Sequence, residues 1–185
     1  MKVYEPTASP GYEWVIPLDP AAFDRLHAKP WRPFEVRFLT EDAGTKLQRA
    51  DLPWLAHGVL VLRPRAAQLI GGLLEPYGEL LPLPCADEEL VLFRTTRLVD
   101  ALDEAASTFI PFADGGIMAI ADHRFRDDLA HGVFALPQLP TDSIYFDEDT
   151  VRAVTKAGLS GTGFQLVYDS AAPPAPGGKP PHWPA

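Results

Sequence analysis

The sequence predicts an α+β fold: a single domain in which a mainly antiparallel sheet carries two or three helices packed on it. Two observations lead there. Strand-like runs outnumber helical ones, and the two are not regularly interleaved as a parallel sheet would require. The stretch from Gly58 to Ala105 also sets one amphipathic helix beside two strands.

Taken in order, residues 1–11 read as a short edge or arm. Tyr12 to Ile16 is a strand candidate, ended by Pro17. Asp19 can cap a short helix with Pro20 at its first position, and Phe23 and Leu26 are expected to face inward. Pro30 and Pro33 flank Trp31 in a loop. Phe34 to Leu39 alternates Phe34, Val36 and Phe38 with Glu35, Arg37 and Leu39, the pattern of a half-buried strand. Residues 40–51 are polar and turn-like. Asp51 to Leu55 reads as a capped helical turn that delivers Trp54 to the core.

The central stretch starts with the apolar run Val59 to Leu62. Pro64 then suits the first position of a helix because its φ is already fixed. Ala66, Leu69, Ile70, Leu73 and Leu74 share one helical face, and Pro76 stops the helix by Glu75. Gly71 and Gly72 each weaken it by roughly 1 kcal/mol relative to alanine, so packing must hold it. Glu79 to Leu83 and Glu89 to Thr95 follow as strands.

Leu98 to Asp103 looks like a tight turn or one helical turn, and Ser107 to Phe112 like a strand. Asp114-Gly115-Gly116 is a hairpin signal. Ile117 to Ala121 is a continuous apolar run, as in a central strand covered on both faces. Phe125 to Ala130 reads as a loop and Val133 to Leu136 as a short strand. The last helix has the clearest signals: Asp147 as N-cap, Glu148 and Asp149 in the first turn, Lys156 in the last, and Gly158 at its end. Phe164, Leu166 and Tyr168 alternate in a closing strand. Residues 1–169 thus form the globular domain. Residues 170–185, SAAPPAPGGKPPHWPA, form a Pro/Gly-rich tail expected to be disordered or extended.

Charge narrows the function. The 185 residues carry 16 basic and 25 acidic groups, for a net −9. Lys179 is the only charged residue of the tail, so the body holds 15 basic against 25 acidic groups, or −10. Such a body lacks the basic surface that neutralises phosphates, so no nucleic-acid partner is expected. It suits an acidic face docked on a basic protein, or acidity kept for solubility. No run approaches a membrane span and the N-terminus has no signal-peptide core, so the expectation is a cytoplasmic protein without a membrane partner. The single cysteine, Cys85, allows no internal disulfide.

No motif announces chemistry. The sequence has no phosphate-binding loop, GxGxxG, HExxH or GxSxG. Its histidines, His27, His57, His123, His131 and His182, never recur at three- or four-residue spacing. A ligand set could still assemble in space, for example His123, Asp127 and His131, but such spacing is usually chance, and the expectation is no metal and no cofactor. Cys85 lies beside Asp87, Glu88 and Glu89, which disfavours a thiolate nucleophile. Asp87-Glu88-Glu89 reads as a solvated turn or a contact patch, and so does Asp127-Asp128. Trp31, in its proline-flanked loop, is an interface candidate.

A resemblance then adds what these residues do not show. The blocks GVLVLRPRAAQLIGGLLEPYGELLPL, ELVLFRTTRLVDALDEAAS, GGIMAIADHRFR and DSIYFDEDTVRAVTKAGLSGTGFQLVY resemble a bacterial family of immunity proteins. These belong to polymorphic toxin systems and are typified by a myxobacterial kin-discrimination immunity protein. The resemblance spans roughly Leu52 to Tyr168. It implies a non-catalytic inhibitor that binds and occludes a cognate toxin, often a nuclease, encoded beside it. No contact residue carries over from the family. Charge and loop position alone select Trp31, Asp87, Glu88, Glu89, Asp127 and Asp128 as toxin-binding residues. An adaptor or chaperone for a secreted effector, and a small-molecule-binding or enzymatic domain, are the alternative readings. Oligomeric state is open.

Overall fold

The computed structural model describes residues 1–126 and 131–172. Its strands are β1 (Lys2–Ala8), β2 (Trp14–Pro17), β3 (Val36–Leu39), β4 (Glu41–Asp42), β5 (Thr45–Lys46), β6 (Val59–Leu62), β7 (Gly78–Leu83), β8 (Leu90–Thr95), β9 (Thr108–Pro111), β10 (Ile117–Asp122), β11 (Val133–Phe134), β12 (Tyr145–Asp147) and β13 (Thr162–Asp169). Two α-helices, α1 (Pro64–Leu74) and α2 (Glu148–Lys156), and two 3-10 segments, Pro20–Arg25 and Glu75–Tyr77, complete the described chain. The strands pair antiparallel in several small sheets within one α+β domain, as the sequence predicts.

Two sheets organise the cores. A three-stranded sheet runs β6-β8-β7 and a four-stranded sheet runs β11-β12-β1-β13. Because side chains alternate across a strand, the first sheet buries both faces. Val59, Val61, Leu83, Leu90 and Leu92 pack with Val15, Leu26, Phe34 and Val36 on one side. Leu60, Leu62 and Phe93 pack on the other with Ile70 and Leu74 of α1, Val133 and Phe146 of the second sheet, and Val154 of α2. A third core joins Val3, Phe134 and Tyr145 to Leu102 and Phe125.

The helical signals hold with one refinement. α1 starts at Pro64 and ends at Leu74, and Pro76 sits in the 3-10 turn that follows. Ala66, Ile70 and Leu74 are buried, but Leu69 lies at the edge of the stripe and is exposed. α2 is capped as expected: the Asp147 carboxylate accepts from Thr150 N at 2.8 Å, and Phe146 and Val151 pack into the same core. Gly158 follows with φ +64°, the left-handed geometry that closes a helix at little cost to glycine.

Several expectations are corrected. Residues 1–11 are not an edge or arm: β1 lies between β12 and β13, with Val3 fully buried. Asp51 to Leu55 forms no helical turn. The Asp51 carboxylate instead accepts from Ser160 N at 3.1 Å, and Trp54 reaches the core through an extended bridge to Trp14. Leu98 to Asp103 is extended as well, bridging Ala135 and Phe125. β10 is not a central strand: among the described residues it pairs only with β9, and Met118 is exposed. Phe23 faces outward while Ala22 and Leu26 fill the core, because a 3-10 turn offsets the faces an α-helix would have. In β13 the register advances by one extra residue, since Val3 faces Tyr168 but Tyr4 faces Leu166. This bulge turns Leu166 to solvent and lets Val167 and Tyr168 both join the third core.

No helix among the described residues is long and apolar enough to cross a membrane. Of the tail, only residues 170–172 are described.

Candidate functional site

A groove of about 880 Å³ runs along β7 and the β7–β8 connection. Its floor is mostly apolar: Leu80, Leu81 and Leu83 of β7 and Leu90 and Val91 of β8. One wall comes from far along the chain, Leu18 and Glu35 to Arg37 of the β2–β3 hairpin region; Ala67 of α1 also lines it. The opposite rim is Pro84 to Glu89. Two bonds hold the hairpin wall in place. Val36 N donates to Pro84 O at 2.9 Å, and Leu18 N donates to Glu35 O at 3.0 Å.

The structure separates the three consecutive rim carboxylates. Asp87 and Glu89 are exposed in the groove mouth. Glu88 turns inward and pairs with Arg63, whose guanidinium also pairs with Glu13 and lies 4.1 Å from the Phe38 ring centroid. Arg63 and Glu13 side chains are each only 6% exposed. Glu13 Oε1 further accepts from Ala50 N at 2.9 Å, and Glu88 Oε1 accepts from Arg49 at 2.8 Å. Glu88 therefore ties the rim to the body of the protein and leaves its two neighbours to face outward.

Trp31 is half-buried. Its indole N–H donates to Pro82 O at 3.1 Å, its ring lies 5.6 Å from Phe34, and the Arg94 guanidinium sits 5.7 Å from it. Arg94 is itself buried, paired with Glu79 at 2.7 Å and donating to the carbonyls of Leu26 and Ala28. Trp31 thus fastens residues 26–34 to the outer edge of β7, beside the groove. Asp127 and Asp128 lie outside the described residues. Cys85 is half-buried, packs against the first core and faces Val36 across a bridge.

A second polar cluster lies elsewhere. His123 Nε2 is 3.1 Å from the Tyr145 hydroxyl and 4.0 Å from Glu5. Burial pushes the His123 pKa below its ordinary value, against the opposing pull of Glu5 and Asp122. Burial, with Glu5, pushes the Tyr145 hydroxyl well above the usual phenol range. Burial also lowers His27, aided by Arg94. These groups sit among packed side chains, His123 stacking on Phe125 at 5.8 Å, and none of them lines the groove. Among the described residues no three histidine, cysteine, aspartate or glutamate side chains are grouped to hold a metal ion. Of the proposed ligand set, Asp127 is outside those residues.

Sequence reasoning missed Leu18, Glu35 and Arg37, which stand more than forty residues from the rim they oppose. The one local signal was Leu18, an apolar residue isolated between Pro17 and Asp19.

Fold and groove together define a small α+β protein that carries an apolar groove with an acidic rim. Residues 86–169, from that rim to the last strand and a little under half of the chain, match the immunity protein family Imm11. The match bears out the resemblance to an immunity protein family and supports an immunity function. No curated protein matches the chain.

Proposed function

We propose that this protein binds a cognate toxin domain, encoded beside it, and neutralises it by occlusion without turning it over. The single observation that carries this reading is the family match over residues 86–169. The electrostatics agree with a nuclease-type toxin. An enzyme that acts on nucleic acid presents basic surface, and a chain of net charge −9 is steered toward it. Asp87 and Glu89 at the groove mouth are the contact residues, with Trp31 at Pro82 beside the groove and Glu88 holding the rim in shape.

The adaptor reading shares the binding and differs in outcome. The groove volume falls within the range of small-molecule sites. However, its exposed carboxylates flank an apolar floor rather than converge on a point, which suits a protein segment better. The test is co-expression of the neighbouring toxin-like domain with and without this protein. The expected result is restored growth and a stable 1:1 complex. Binding without restored growth would favour the adaptor, and neither would remove the immunity reading for that pair.

A further inference from the structure

The groove has an open hydrogen-bonding edge. Among the described residues β7 pairs with β8 alone, and Pro82 stands opposite Val91 in that register. Proline has no N–H to give β8, and its carbonyl accepts from the Trp31 indole instead. Pro82 therefore turns its backbone away from β8. Antiparallel pairing alternates residue by residue, so Leu80, two positions earlier, turns its N–H and C=O outward as well. Among the described residues, no other segment bonds to the Leu80 backbone. An unpaired strand edge is a template for another strand, and proline is a common way to block one. Here Pro82 and Trp31 block the end of β7 and leave Leu80 open.

The surroundings specify what would pair there. Leu80 lines the groove, and its floor continues over Leu81 and Val91 to Leu18, which is 54% exposed. Exposed carboxylates at Glu35, Asp87 and Glu89 line the same groove against one exposed cation, Arg37, among the described residues. Glu88 is already neutralised by Arg63 and Arg49. An extended chain with apolar side chains on one face and lysine or arginine on the other would satisfy the edge, the floor and the rim together.

We propose that the groove binds an extended segment of the toxin with alternating apolar and basic residues, which adds as a short strand to β7 at Leu80. Naming the toxin as source rests on the immunity reading; the docking chemistry does not. The first test therefore needs no toxin. A seven-residue peptide alternating lysine and valine is titrated into the isotope-labelled full chain, beside a control with glutamate for lysine.

The lysine peptide is expected to saturate and to slow exchange of the Leu80 amide at least tenfold. Leu18→Asp, and Asp87→Lys with Glu89→Lys, should each weaken it at least tenfold without altering the fold, since all three side chains are exposed. Equal binding of the two peptides, an unchanged Leu80 amide, or no binding at millimolar peptide would overturn the proposal. So would a dimer of the free protein that Leu18→Asp dissolves, because a second copy would then own the groove. Growth rescue by the wild-type protein is scored separately. Rescue without peptide docking removes this inference and keeps the immunity reading; docking without rescue does the reverse.

Discussion

Replacing Glu88 by alanine should destabilise the protein, while the same change at Asp87 or Glu89 should not. Glu88 is one of two carboxylates on the Arg63 guanidinium, which is buried with only 6% of its side chain exposed. Stripping a buried charge of its only partner costs roughly 3–5 kcal/mol. Arg63 keeps Glu13, so the loss is nearer that of one charge-assisted hydrogen bond, about 2 kcal/mol. The Arg49 pair adds little, because the Arg49 side chain is 71% exposed. With a urea slope of roughly 2 kcal/mol/M, the unfolding midpoint should fall by about 1 M. Asp87→Ala and Glu89→Ala should stay within about 0.5 kcal/mol of wild type. Toxin binding should show the opposite ranking, with Asp87 and Glu89 the sensitive positions. If Glu88→Ala unfolds at the wild-type midpoint, or all three variants shift alike, the Arg63 anchor is not what holds the rim.

Asp147→Ala removes both the Thr150 cap and a 2.7 Å bond from Gly132 N, and should cost about 2 kcal/mol in thermal or urea unfolding; an unchanged midpoint would contradict the cap. Gly161 has φ +104°, and an added Cβ would lie 2.4 Å from the Ala50 Cβ and 2.6 Å from Leu52 O, so Gly161→Ala should cost about 3 kcal/mol. Gly44, at φ +79° with open space around it, should lose only about 1 kcal/mol as alanine, and equal losses would show that crowding at Gly161 is not the cause. His123 is held below its ordinary pKa of 6.5, so the unfolded chain takes up a proton first as pH falls. Stability should therefore be level above that value and decline below it until native His123 protonates. His123→Gln should flatten that decline in urea midpoints, and an identical slope would place the proton elsewhere.

Local signals in the chain were read well where one interaction dominates. Asp147, Pro64, Pro76 and Asp114-Gly115-Gly116 each set their own backbone, and the structure has α2, α1 and the β9–β10 hairpin where they point. Glu88 shows where such reading stops. Nothing in Asp87-Glu88-Glu89 separates one carboxylate from the next, and the difference comes from Arg63, Glu13 and Arg49, which are distant in sequence. Its flanking prolines single out Trp31 in the sequence, yet its partner Pro82 lies fifty-one positions away. The groove was hidden for the same reason.

The sequence by itself determined the α+β class, both α-helices, the acidic balance and the immunity-family resemblance, because each rests on residues within one turn, one run or the whole composition. Tertiary structure alone decided that the first strand is central, that the Ile117 run lies in a peripheral hairpin, and that Leu18, Leu80 and the Pro84–Glu89 rim share one groove. An apolar run records that a strand is sticky but not how many partners cover it. Burial and pairing are properties of the neighbours a strand receives, and those arrive from elsewhere in the chain.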